Sequence, residues 1–147
     1  MGSEHTAKAF DSDLQELTRL VAEMGGLAER MITESVDALV RRDIALGKRV
    51  VAADADIDRL QHLIEERAVL TIARRQPMAV DLREIVGAMR VATDLERIGD
   101  LAKNMGKRVA ALESDFQPLK LIRGLEHMTD LVPVSYTHLT LPTIYSV

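Results

Sequence analysis

Two acidic residues one helical turn apart are the side chains of this sequence with the clearest capacity for chemistry. Glu96 and Asp100 stand four positions apart, and on a helix that spacing lets both carboxylates converge on a single cation. Without a cation, like charges at this spacing repel and cost the helix about 0.2–0.5 kcal/mol. The same spacing is common on solvated helix faces, so spacing alone gives only weak support for a metal site.

A second row of potential ligands, at four-residue steps, comprises Asp54, Asp58, His62 and Glu66. This row is either ligand-like or, more commonly for such a pattern, a solvated face. The chain has no cysteine, which excludes thiolate ligands and a cysteine nucleophile. Any metal would therefore be held by oxygen or imidazole, which favours Mg, Mn, Ca or iron over zinc.

Recognisable catalytic motifs are missing from the sequence. No histidine follows a glutamate by three positions, as a ferritin-like di-iron bundle requires. There is no Gly-rich phosphate loop, no Ser-x-x-Lys and no His-Glu-x-x-His. The sequence therefore predicts a protein that is not an enzyme.

The elements that would position these residues are long helices. Apolar and small residues recur at alternating steps of three and four from Leu14 to Ala38, from Leu46 to Thr71 and from Val91 to Leu112, the period of a helix that faces a partner helix. Ser12 with Gln15 resembles a capping box and predicts where helix one begins. That helix is expected to end near Arg42.

Glycine, aspartate and proline mark the expected breaks. Gly25-Gly26 interrupts helix one and predicts a close backbone approach there. Asp43 is a candidate cap for helix two, which should end near Arg75 because Gln76-Pro77 disfavours the helical conformation. Helix three follows Pro77, and residues 113–118 are predicted to form a loop.

The predicted architecture is all-α: an antiparallel bundle of three helices, each about 45 Å long at 1.5 Å per residue. A net charge of -4 with interspersed signs gives no basic surface for nucleic acid. No stretch approaches the roughly 18 apolar residues of a membrane span, and the amino terminus is unlike a signal peptide. A cytoplasmic location is the expectation.

Helix three carries apolar residues on two faces of its first half. Leu82, Val86 and Met89 lie on the face opposite the core track. Further along the helix, that same face holds Glu96 and Asp100, with Asn104 beside them. A face of this kind needs a second layer to cover it. We therefore expect a further repeat or a homodimer.

The carboxyl-terminal part changes character. Leu119 to about Leu131 could begin a fourth helix, and from Val132 onward there is no Lys, Arg, Asp or Glu. The sequence is therefore divided into a three-helix domain at 1–117, a truncated fourth helix at 118–131 and an irregular, non-native tail at 132–147 that resembles translated vector sequence.

Two segments resemble the PhoU family. They are the run 74–83, Arg-Arg-Gln-Pro-Met-Ala-Val-Asp-Leu-Arg, and the run 94–104, Asp-Leu-Glu-Arg-Ile-Gly-Asp-Leu-Ala-Lys-Asn. The opening helix around residues 5–11 and 22–28 is also similar, so the resemblance covers about residues 3–130. It implies a domain of three long helices that occurs twice in a full chain, of which this sequence holds the first copy.

The resemblance also implies a site and a role. An acidic family motif that binds iron or other metal clusters in some members maps onto Glu96 and Asp100, with Asn104 and Asp94 as weaker candidates. Leu101 stands where the family often has histidine. The implied role is an adaptor between the ATPase subunit of the phosphate ABC transporter and a sensor histidine kinase, which negatively regulates the phosphate regulon. The alternatives are a metal-dependent hydrolase or metal-storage bundle, and an inactive truncated fragment.

Overall fold

The structure is a computed structural model that describes residues 2–112 and 123–131. Over these residues it contains no strand and four helices: α1 (Gly2–Arg41), α2 (Ile44–Arg75), α3 (Ala79–Ala111) and a short helix α4 at 123–131. The predicted all-α bundle of three long helices with a short fourth is confirmed. The predicted loop at 113–118 and the tail at 132–147 lie outside the described residues, and the three-part division stays a prediction.

The joint between α1 and α2 is a two-residue Schellman-type turn. Arg42 adopts a left-handed conformation, with φ at 54°, and the Asp43 N–H donates a hydrogen bond of 2.9 Å to the Ala38 carbonyl. The Asp43 carboxylate then accepts a hydrogen bond of 3.0 Å from the Leu46 N–H. Asp43 therefore caps α2, as predicted.

The joint between α2 and α3 uses the predicted Gln-Pro break. Gln76 has φ at 46° and still donates its N–H to the Ile72 carbonyl at 3.1 Å. Pro77 follows outside both helices, and the Leu82 N–H donates to the Met78 carbonyl at 2.9 Å as α3 begins. Both joints are short, so each helix returns antiparallel to the one before it.

Two predictions for α1 were wrong. The helix begins at Gly2 rather than at Ser12, which lies exposed inside the helix and caps nothing. Residues 2–8 are all exposed, so the sequence of this first part of the helix shows no apolar track. The Gly25-Gly26 pair does not interrupt the helix, and a Cβ added at Gly26 would meet nothing within 4 Å.

The long helices contribute to two compact units. Unit 1 consists of Met1–Gly26 and Ala55–Arg97. Its core combines residues of α1, α2 and α3, and the predicted tracks supply most of them. The buried apolar side chains of unit 1 are Leu17, Leu20, Met24, Ile57, Leu60, Ile64, Ala68, Ile85, Ala92 and Leu95.

Of the described residues, unit 2 contains Leu27–Asp54, 98–112 and 123–131. In this unit the first third of α2 packs against the last part of α3. The two segments are antiparallel, because Gly47 lies against Gly106 whereas the later Asp54 lies against the earlier Lys103. Its buried apolar side chains are Ala28, Met31, Val36, Ala38, Val50, Ala102 and Val109. Within the described ranges, no helix has the length and apolarity that crossing a membrane requires.

Candidate functional site

The four predicted metal ligands all lie on α3 and differ in exposure. Asp94 is exposed and forms a loose ion pair of 3.7 Å with Arg97, which is also exposed. Glu96 and Asp100 are both half-buried, and Asn104 is exposed. Asp94 and Glu96 belong to unit 1, whereas Asp100 and Asn104 belong to unit 2.

The described residues do not supply a full ligand set for a metal. Across 2–112 and 123–131 there is no group of three or more His, Cys, Asp or Glu side chains that could hold an ion. Structural metal sites in proteins generally need more ligands than one carboxylate pair provides. The assignment of Glu96, Asp100, Asn104 and Asp94 to iron or another divalent metal stays a prediction, and no part of the function proposed below depends on it.

The acidic row on α2 is not one uniform face. Asp58, His62 and Glu66 line a shallow surface depression whose other walls, Ala55, Arg59 and Leu63, come from the same helix. This part of the row lies at the surface of unit 1, as a solvated face would. Asp54 differs from the other three, because it is buried within unit 2.

Asp54 forms a buried ion pair with α3. The Lys103 ammonium donates to Oδ2 of Asp54 at 2.7 Å, and the two side chains are 30% and 8% exposed, respectively. The second oxygen, Oδ1, is buried and has no hydrogen-bond partner among the described residues. A buried pair of this kind adds little net stability, but removing one partner is strongly destabilising. The sequence contained a signal for it, since Asp54 lies four positions after Val50 and three before Ile57, on the core track.

A close helix approach occurs at a pair of glycines that the sequence analysis did not single out. A Cβ added at Gly106 would lie 2.7 Å from the Gly47 carbonyl oxygen, and a Cβ at Gly47 would lie 3.1 Å from the Gly106 carbonyl oxygen. Backbone thus meets backbone between α2 and α3 in unit 2. Both glycines lie three positions before a buried valine, Val50 or Val109, and this spacing is the signal in the sequence that places them on the core face.

In unit 1 the interhelical ion pair is more open. Arg75 Nε donates to Asp13 Oδ2 at 3.1 Å, with the side chains 26% and 35% exposed. This pair joins the end of α2 to the early part of α1. Arg75 therefore has a specific partner in addition to its favourable position at a helix carboxyl terminus.

A charged network lies on the outer surface of α1. Arg19 donates to both oxygens of Glu16, at 3.0 and 2.8 Å, and to Glu23 at 3.1 Å. Hydrogen bonding from Arg19, opposed by partial desolvation and aided by the charges of Arg19 and Arg67, lowers the pKa of Glu16 below its usual value. The same contacts raise the pKa of Arg19.

Several large apolar side chains of unit 1 remain exposed around the joint between α2 and α3. We call them the apolar joint set: Val69, Leu70, Met78, Val80 and Leu82. Met78 is 80% exposed and Val80 is 61% exposed. Val86 and Met89, which were predicted to need a cover, are half-buried. The chain itself therefore leaves much of this apolar surface open to solvent.

Comparisons of the sequence with known proteins find matches that cover the helices described above. Residues 21–109 match the PhoU domain. A "phosphate-specific transport system accessory protein PhoU homolog" of Rhizobium meliloti is 52% identical over 134 residues, covering 91% of this chain and 56% of the relative. Proteins of the same name from Caulobacter vibrioides and Zymomonas mobilis are 45% and 43% identical, over 88% and 75% of this chain.

The chain spans about half the length of the curated relatives it matches, at 56% for two of them and 46% for the third. The PhoU domain match, by contrast, covers more than half of this chain and runs through all three long helices. The chain belongs to the PhoU family.

Proposed function

We propose that the protein is a regulatory accessory component of phosphate uptake. The observation that carries this proposal is the match to the PhoU domain together with 52% identity to a relative named for the phosphate-specific transport system. The part it plays is not enzymatic: it binds other proteins through the outer faces of its helices. The apolar joint set offers contact surface for such binding.

In more detail, we propose a cytoplasmic adaptor between the ATPase subunit of the phosphate ABC transporter and a sensor histidine kinase. In this role the protein keeps the phosphate-starvation genes off when phosphate is plentiful. The resemblance of runs 74–83 and 94–104 to the family supports this assignment.

The test is a deletion of the complete gene in the source organism grown in high phosphate. We expect alkaline phosphatase to be derepressed, because the negative regulator is lost. Restoring the complete gene should return the enzyme to its repressed level, and this serves as the control. Phosphatase activity that stays at the repressed level after deletion would contradict the proposal.

A second arm separates the adaptor from an inactive fragment. The deletion strain receives either this 147-residue chain or the complete gene. Repression by both would assign the regulatory contacts to this chain, whereas repression by the complete gene alone would assign them to parts of the protein beyond it. We expect the complete gene to continue into a second helical repeat with its own acidic motif.

The rival from another class is a metal-dependent hydrolase or metal-storage bundle. Elemental analysis of the purified protein and a phosphatase assay with and without added iron or manganese separate the two classes. The informative variant is Glu96→Ala with Asp100→Ala, and Asp56→Ala, an exposed acid of α2, is the matched control. Metal-dependent turnover that only the first variant loses would favour the rival.

A further inference from the structure

The contact between α2 and α3 in unit 2 is built from small and aliphatic side chains that repeat at helical spacing. Val50, Ala102 and Val109 are buried there, and Val51 and Val50 also lie near the contact of Gly47 with Gly106. Valine and alanine side chains that repeat in this way distinguish one pairing of turns from the next only weakly, although the facing glycines favour the observed pairing because a Cβ at Gly106 would meet backbone. Two helices with such surfaces can pack again after sliding by one turn, about 5.4 Å along the axis.

A second interaction in this contact, in addition to the glycine pair, is specific to a single pairing. The Lys103 ammonium meets Oδ2 of Asp54 at 2.7 Å, and the Asp54 side chain is only 8% exposed. If α2 slid by one turn, the carboxylate of Asp54 would move away from Lys103 and stay buried without its cation. Oδ1 already lacks a hydrogen-bond partner among the described residues, so the carboxylate has no second interaction to replace the lost one.

We propose that the Asp54–Lys103 ion pair fixes the register of α2 against α3, and that this, rather than net stability, is its contribution. Buried polar pairs are best attested in this role, because they penalise alternative packings more than they stabilise the correct one. The contact of Gly47 with Gly106 sets how closely the helices approach. The ion pair adds a charge penalty to every other pairing of turns.

The test replaces the pair with apolar residues of similar size, Asp54→Leu with Lys103→Met. Register is read by electron–electron double resonance between spin labels on introduced cysteines, which are unique because the chain has none. One label pair is Ala52→Cys with Arg108→Cys, and the other is Ala45→Cys with Leu101→Cys. All four positions are exposed in unit 2.

The two label pairs distinguish sliding from loosening. Because Gly47 faces Gly106 and the segments are antiparallel, position 52 lies across from 101 and position 45 across from 108. Along the helix axis, residue 108 is therefore displaced in one direction from residue 52, and residue 101 is displaced in the opposite direction from residue 45. A slide by one turn lengthens one distance and shortens the other, whereas a general loosening of the helices lengthens both.

In the protein that keeps the Asp54–Lys103 ion pair, each label pair should give a single distance. The apolar variant should keep its helical circular dichroism and add a second population, displaced by about one turn, with opposite signs for the two label pairs. The matched control, Asp13→Leu with Arg75→Met, removes the open ion pair of unit 1 and should leave both distances single. Single, unchanged distances in the apolar variant would overturn the proposal, as would lengthening of both distances or a variant that does not fold.

Discussion

Two interhelical ion pairs among the described residues, Asp13–Arg75 and Asp54–Lys103, differ in burial, and this difference sets what each contributes. In unit 1, Asp13 and Arg75 retain about a third and a quarter of their exposure, so water can solvate either charge if the other is lost. In unit 2, Asp54 is almost completely enclosed and Lys103 is its cation. The loss of one charged partner should therefore be tolerated in unit 1 and costly in unit 2.

Removing the cation of each ion pair should give the largest difference between the two units in the free energy of unfolding that is lost. Lys103→Met leaves a buried, uncompensated carboxylate, and we expect the free energy of unfolding to fall by about 3 kcal/mol. Arg75→Met leaves Asp13 in contact with solvent, and we expect a loss of less than about 1 kcal/mol. Urea denaturation followed by circular dichroism measures both. Equal losses would show that burial does not separate the two pairs.

Alanine substitutions at glycine should also have opposite signs in the two units. In unit 2, Gly106→Ala places a Cβ 2.7 Å from the Gly47 carbonyl, and relieving that overlap should cost about 1–3 kcal/mol. In unit 1, Gly26→Ala adds a Cβ that meets nothing within 4 Å and should stabilise the helix by up to about 1 kcal/mol. Thermal unfolding of the two variants checks the signs. Destabilisation by Gly26→Ala would contradict the open surroundings of that residue.

The surface network of α1 should have a smaller, pH-dependent effect. The pKa of Glu16 is lowered in the folded protein from its ordinary value of 4.5, so its stabilising contribution is complete above that value and is lost as pH falls through the folded pKa. Glu16→Gln should therefore lower stability slightly at neutral pH and make no difference in strong acid. Denaturation at both pH values measures this, with Glu4→Gln, which lies away from Arg19, as the control. A difference that persists in strong acid would exclude the carboxylate as its cause.

Changes in the apolar joint set should leave stability almost unchanged and alter association instead. Met78→Ser with Val80→Ser replaces two well-exposed side chains, so little packing is lost. If the chain self-associates through this surface, the double variant should shift toward monomer in size-exclusion chromatography with light scattering. Ala73→Ser, at another exposed position near the end of α2, is the control. A wild-type chain that is already monomeric would contradict the expected homodimer.

The sequence predicted the three long helices well because their core tracks repeat at the helical period. Leu17, Met24, Ile57, Ile64 and Val109 are all buried as expected. Apolar periodicity, however, reflects only the packing of a helix against other helices, and the first residues of α1 pack against little. The start of that helix at Gly2 was missed for this reason, since residues 2–8 are all exposed.

The interactions that distinguish unit 2 were harder to predict, because they depend on which turns of two helices meet. Asp54 was grouped with Asp58 by their spacing, although its position between Val50 and Ile57 places it on the buried side. Gly25-Gly26 drew notice as a doublet, but Gly26 has open surroundings, and α2 and α3 approach closely at Gly47 and Gly106, which are isolated and distant in the sequence. A single helix pattern gives the face of a residue but not its partner across the bundle.

The exposure of Met78 has a chemical consequence. Its thioether is open to oxidants, whereas Met24 and Met31 are 0% and 1% exposed and should be spared. Mild peroxide should convert Met78 and the similarly exposed Met128 to the sulfoxide before Met24 and Met31. At Met78 this turns an apolar contact into a polar one that methionine sulfoxide reductases can restore. Any partner seated on that side chain would then protect it, so the oxidation rate of a single methionine would show when this end of the molecule is covered.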